Sequence, residues 1–149
     1  MIDSLFRISL KAYIENDKGE VLVVKEAGRS WWDLPGGGME YEESIKEALA
    51  RELKEEVAFE GDFTYEIIDV EEPRLLARNV WQTRLVFRIL PENLSFGRGE
   101  HGDDVAFIDP NTFETSERVS ERLVCYHARK LRGDTSYDPR VPRGEEIFS

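Results

Sequence analysis

The strongest chemical signal in the sequence is a set of three glutamates, Glu52, Glu55 and Glu56, in the run Arg51-Glu52-Leu53-Lys54-Glu55-Glu56. On a helix, residues at i, i+3 and i+4 share one side, so this spacing crowds three carboxylates together. At about 100° per residue, Glu56 falls between the directions of Ile45 and Leu49. The acids therefore border an apolar stripe instead of pointing straight to solvent. Their charges repel, and partial burial raises the cost of ionising them. A hard divalent cation offsets that penalty, and an all-oxygen donor set suits magnesium or manganese rather than zinc. Just upstream, Gly36-Gly37-Gly38 supplies a loop with free backbone, able to turn back over the start of a helix. Its carbonyls and amides can reach a metal or a phosphate. A glycine loop beside a carboxylate helix is what metal-assisted phosphoryl chemistry requires. The bland alternative is a solvated acidic face laced by pairs such as Glu47 with Arg51. The conjunction of the acid spacing with the glycine loop favours chemistry.

Positioning these groups requires a helix, a loop and a sheet. Ile45, Leu49, Leu53 and Val57 recur every four residues, with Ala48 beside them, which predicts a helix from about Glu42 to Val57. Before it, Phe6, Ile8, Leu10, Ala12 and Ile14 alternate with polar residues and predict a half-buried strand. Asn16-Asp17-Lys18-Gly19 signals a turn, making Val21 to Val24 the hairpin partner of that strand. Trp31 to Leu34, Phe63 to Val70, Val80 to Leu90 and Asp104 to Ile108 read as further strands, and Ser116 to Leu131 as a second helix. Strands outnumber helices without strict alternation, so the fold class is α+β, a mixed β-sheet with helices on its faces. One domain over residues 1–132 suits this length, with a charged, Gly- and Pro-containing tail over 133–149 that is either loose or packed on a partner chain.

The stretch from Gly37 to Phe59 resembles the signature of the Nudix hydrolases (MutT-like proteins). The matching positions are Gly37, Glu43, Arg51, Glu52, Leu53, Glu55, Glu56 and Phe59, with Leu34-Pro35-Gly36-Gly37 as the family's usual lead-in. From this chain's own composition, the fixed positions coincide by chance at roughly one start in several hundred thousand. One position departs. Ala58 stands where the family has Gly, and is read as a helix end that is not strongly left-handed. The motif spans only about a sixth of the chain.

The resemblance implies an α/β/α sandwich and metal-dependent hydrolysis of a pyrophosphate bond in a nucleoside diphosphate linked to another group X. It implies that Glu52, Glu55 and Glu56 bind Mg2+ or Mn2+ and that Gly37 offers a backbone carbonyl. Glu52 matches a frequent general base. Arg51 and Glu43 match a pair that steadies the loop and helix, so Arg51 joins the three glutamates in the candidate catalytic set. Many members add an acid from outside the motif. Glu100 is the first choice here and Asp103 the second, in Gly99-Glu100-His101-Gly102-Asp103-Asp104.

For substrate contacts, Trp32 and Trp81 could stack a nucleobase, with Gly36 and Gly38 beside the phosphates; core or edge packing is the competing role for both tryptophans. His101 and His127 lack metal-ligand spacing, and Cys125, the only cysteine, excludes a disulfide within one chain. No stretch approaches the roughly 20 apolar residues of a membrane helix, and the N-terminal sequence reads as a strand, not a signal peptide. A cytoplasmic enzyme is the expectation. The net charge of -11 argues against a duplex nucleic acid or an anionic membrane as partner, but not against a small phosphorylated, nucleotide-like substrate bridged by metal. Oligomeric state is open, a homodimer being the commonest assembly. Two rivals stand beside the hydrolase: a non-catalytic nucleotide or sugar-nucleotide binding module on the same fold, and a structural cation site.

Overall fold

The computed structural model describes residues 5–26, 28–76 and 80–115. Its elements are β1 (Phe6–Tyr13), β2 (Val21–Glu26), β3 (Gly36–Gly38), α1 (Ile45–Val57), β4 (Phe63–Val70), β5 (Arg74–Leu76), β6 (Val80–Pro91) and β7 (Gly102–Ile108), followed by a 3-10 turn, Pro110–Thr115. The expected second helix, with Cys125 and His127, and the tail over 133–149 lie outside the described residues.

β1 lies inside a mixed sheet of order β3-β1-β6-β4, with β5 also paired to β6, and is buried on both faces from Ser9 to Tyr13, where alternation predicts burial on one. β1 runs parallel to β6, from Phe6↔Trp81 to Tyr13↔Arg88, and antiparallel to the short β3. The expected hairpin stops almost as it starts. Asn16 N donates to Glu20 O at 3.0 Å and Leu22 N to Ile14 O at 2.9 Å, after which β2 leaves to pair with β7 in a second, two-stranded sheet. The reason lies in Val21-Leu22-Val23-Val24, all fully buried. A continuous apolar run needs cover on both faces, and β2 gets it by lying between two cores. Leu22 and Val24 join Leu10, Ala12, Phe87 and the α1 residues Leu49, Leu53 and Val57, while Val21 and Val23 join Tyr13, Leu34, Val86 and Phe113. Trp31 to Leu34 is not a strand. It meets β2 at the isolated bridge Val24↔Asp33.

α1 begins three residues later than the apolar period predicts, at a capping box. Ser44 Oγ accepts from Glu47 N at 3.1 Å and Glu47 Oε1 accepts from Ser44 N at 3.2 Å. The helix ends on Ala58 with φ 55° and ψ 34°, a left-handed cap whose N–H bonds to Leu53 O. The expectation of a helix end that avoids this conformation is therefore wrong. The turn needs the left-handed residue whether or not it is glycine. None of the helices among the described residues is long and apolar enough to cross a membrane.

Candidate active site

The glycine segment is a strand, not a free loop, and each glycine makes room for a different neighbour. Gly36 has φ +141°, and a Cβ there would lie 1.9 Å from Leu10 O, so this edge contact with β1 excludes any side chain. A Cβ on Gly37 would lie 2.6 Å from Glu52 Oε1, and one on Gly38 would lie 2.5 Å from Arg7 Nη2. The bare backbone thus lets the acids of α1 come up against β3. Gly36 N donates to Glu56 Oε2 at 2.7 Å.

Arg51 fixes the helix to the chain that leads into it. It grips Glu43 with two bonds, Nε to Oε2 at 2.7 Å and Nη2 to Oε1 at 2.9 Å, and Nη2 also donates to Gly38 O at 3.0 Å. Its Nη1 lies between Glu52 Oε1 at 3.0 Å and Glu55 Oε2 at 3.3 Å. The ion pair imagined with Glu47 does not form, because Glu47 serves the cap. Hydrogen bonding to Arg51 pulls the Glu43 carboxyl below its ordinary range. Contact with Glu43 in turn raises the guanidinium's affinity for its proton.

The acids differ in surroundings. Glu52 and Glu56 are 7% and 5% exposed, whereas Glu55 is half-buried. Burial pushes the Glu52 carboxyl above the usual carboxylate range, and Arg51 only partly opposes it. Glu55 also lies 3.4 Å from His101 Nδ1. The segment holding that histidine covers the end of α1, with Gly97 N bonded to Val57 O at 2.9 Å and His101 N to Glu55 O at 2.8 Å.

These groups form one wall of a polar cleft of about 720 Å³. The other wall is the sheet face carrying Arg7, Ser9 and Lys11 from β1 and Gln82 and Arg84 from β6, with Arg29 and Asp33 nearby. Lys11, 5% exposed, donates to Leu34 O at 3.2 Å and Gly36 O at 3.1 Å. Arg84, equally buried, pairs with Glu71 at 3.3 Å and Asp33 at 3.4 Å. Sequence reasoning missed this basic wall. The available signal was the polar half of the strand alternation, Arg7-x-Ser9-x-Lys11 and Gln82-x-Arg84, which reads as a solvent face.

The cleft gathers Gly36, Gly37, Gly38, Arg51, Glu52, Glu55 and Glu56, but not the other candidates. Trp81 neighbours Gln82 on β6 and so takes the opposite face, 45% exposed. Trp32 packs at the edge of the second core, with Lys25 Nζ 4.6 Å above its ring. Glu100 is exposed in the turn before β7 and lines no part of the cleft. Asp104 is exposed and bonds to Val105 N, and the Asp103 side chain lies outside the description.

The donor set fits a hard divalent ion in chemistry: carboxylate oxygens, two of them on nearly buried residues, against a strand bare of side chains. In this arrangement, among the described residues, no three acidic, histidine or cysteine side chains converge on one point. Arg51 Nη1 occupies the space between Glu52 and Glu55, lending the positive charge those acids need.

The chain is similar to known proteins over most of its length. The NUDIX domain family matches residues 5–124. An RNA pyrophosphohydrolase of Acinetobacter baylyi is 45% identical over 58 residues, covering 38% of this chain and 35% of that protein. The match thus spans about a third of that relative's length. A MutT-like protein of Streptomyces ambofaciens is 27% identical over 119 residues, 78% of this chain and 71% of that protein. In fold, the MutT protein from Methanosarcina mazei Go1 superposes with a TM-score of 0.73 at 22% identity, covering 90% of this chain and 99% of that one. With the family match reaching across both walls of the cleft and most of the chain, the chain belongs to the NUDIX domain family.

Proposed function

We propose that this chain hydrolyses the pyrophosphate bond of a nucleoside diphosphate linked to X, with Mg2+ or Mn2+ held by Glu52, Glu55, Glu56 and the backbone carbonyl of Gly37. The observation that carries this reading is the pairing of opposite walls: buried acids against β3 on one side, and Arg7, Lys11 and Arg84 on the other. An anionic anhydride lying between them meets cations on the sheet, while the acid wall holds the counter-ions its phosphates bring. The metal, when bound, neutralises phosphate oxygens and polarises the bond to be cut. Glu52, whose proton affinity is raised by burial, is placed to accept the proton of the attacking water. Arg51 sets the spacing of Glu52 and Glu55 and fastens both to Glu43 and Gly38. Glu100 is left out of the metal set because it does not line the cleft.

Relatives and neighbours are named for several substrates, among them RNA, UDP-X and ADP-ribose. The reading for this chain accordingly rests on the anhydride and not on one nucleoside. Glu55→Gln and Glu56→Gln are expected to lower turnover about 100-fold or more. Both should keep the melting temperature within a few degrees, since glutamine retains an acceptor for Gly36 N at position 56 and for Arg51 Nη1 at position 55. Steady-state rates at saturating magnesium, over a panel of nucleotide derivatives, check this. Unchanged rates in both variants would discard the site assignment. Metal-dependent phosphate or nucleotide release from that panel separates the enzyme from a binding module.

A further inference from the structure

The cations of the cleft are not equivalent. Lys11 is bound to the carbonyls of Leu34 and Gly36, Arg84 to Glu71 and Asp33, and Arg51 to Glu43, Glu52, Glu55 and Gly38. Arg7 is exposed and, among the described residues, makes no side-chain hydrogen bond or ion pair. Its guanidinium is nevertheless seated. It lies over Gly38, in the space a Cβ would take, 2.5 Å from that position. Directly across the parallel register stands Gln82, 8% exposed, lining the cleft and likewise without a side-chain partner among the described residues. Gln82 is not among the residues whose side-chain polar atoms are buried without a partner, so its amide opens to the cleft, where a ligand can accept from it. The next residue in this cross-strand row, opposite Gln82 on β5, is Arg74. Arg74 is buried and lines no part of the cleft, so the donors that face a ligand in this row are the Arg7 guanidinium and the Gln82 amide. No Phe, Tyr or Trp among the described residues lines the cleft to stack a base or a sugar ring.

We propose that Arg7 and Gln82 are specificity-determining residues that hold X, and that X is anionic. The preferred substrates are then nucleotides with a third phosphate, free or esterified, over nucleoside diphosphates linked to a neutral sugar. This rests on the pyrophosphohydrolase reading above. Arg7 supplies a bidentate, charge-assisted contact to phosphate oxygens, and the Gln82 amide donates the next bond. Gly38 supplies the space that keeps the guanidinium in place.

The test compares ATP with ADP-ribose, substrates that share the ADP half and differ in X. Wild type is expected to favour ATP in kcat/KM, and Arg7→Ala to reduce the ATP to ADP-ribose ratio by about 30-fold, the scale of one charge-assisted pair. Gln82→Met should reduce it by about tenfold. Arg7→Lys should restore part of the Arg7→Ala loss. Gly38→Ala, which keeps the arginine but fills its seat, should move the ratio the same way. A second readout needs no turnover: calorimetry with the α,β-methylene analogues of ATP and ADP, which differ by the terminal phosphate. The affinity difference between them should narrow in Arg7→Ala. A wild-type preference for ADP-ribose, or equal losses on both substrates and both analogues, would overturn the assignment. Absence of turnover on every substrate, with the analogue difference present and lost in Arg7→Ala, would instead retire the hydrolytic reading and keep the anion seat.

Discussion

Glu52 shows how a functional residue strains the fold that carries it. Its carboxyl is almost buried, and burial pushes its pKa up despite Arg51. A raised folded pKa means that the group's stabilising contribution is fully present below the ordinary carboxylate pKa. It is lost as pH rises through the raised value. Once ionised, Glu52 is thus a burden on the metal-free protein. Glu52→Gln should therefore raise its melting temperature at pH 7, by about 1 kcal/mol of stability, and flatten the fall in stability between acidic and neutral pH. The same change should abolish turnover and the stabilisation that magnesium gives wild type. Thermal melts at pH 4.5 and pH 7, with and without magnesium, measure all of this. A variant less stable than wild type at pH 7 would contradict it. The helical spacing of the acids told in advance that they would border the buried stripe. It could not tell that Arg51 would stand between two of them, because side-chain reach across a turn is settled by which acid wins the guanidinium. Here Glu43 wins, and Glu47 is spent on the cap.

The elements were legible where one period dominated. Phe63–Val70 coincides with a strand read from the sequence, Val80–Pro91 nearly does, and α1 ends where its apolar stripe ends. Its start was misplaced because the S-x-x-E capping box at Ser44 and Glu47 is a sharper boundary than apolar spacing. The glycine run misled more. Three glycines read as loop, yet they form β3, because only a strand without side chains can lie between β1 and the glutamates. Ala58 misled through its chemistry. Alanine disfavours φ 55°, but the cap bond to Leu53 and the packing of Phe59 at 3% exposure hold it there. An L-residue in this conformation costs about 1–2 kcal/mol. After the larger unfolded-state entropy of glycine is set against that, Ala58→Gly should stabilise the protein by about 1 kcal/mol. Urea denaturation with an unchanged m-value would register the gain, and a loss would show that the alanine methyl packs favourably at this turn.

At the scale of the whole molecule, the least legible feature is that its sheets are joined by charge as well as by apolar packing. Asp33 is bonded through its backbone to Val24 of the β2–β7 sheet, at 2.8 and 3.0 Å, and through its carboxylate to Arg84 of the larger sheet. Arg84 also pairs with Glu71, which is 2% exposed and whose backbone N–H donates to Arg84 O at 2.8 Å. Nothing in the sequence links positions 33, 71 and 84, because the contact depends on a register between strands far apart in the chain. A composition of 34% charged residues instead suggests a solvated surface. Removing one partner of a buried pair strands the other charge, at about 3–5 kcal/mol. Arg84→Met should therefore lose about 3 kcal/mol in urea denaturation, a large share of a small domain's stability. Two deletions within one network do not add. Glu71→Gln in the Arg84→Met background should cost less than in wild type, with a coupling of about 1 kcal/mol or more. Additive effects would mean that Arg84 and Glu71 do not act as one buried network. The same cycle carries a functional readout, since Asp33 and Arg84 both line the cleft. Arg84→Met should raise KM for the substrate more than it lowers kcat, because what it removes is one wall's positive charge and not the acids facing it.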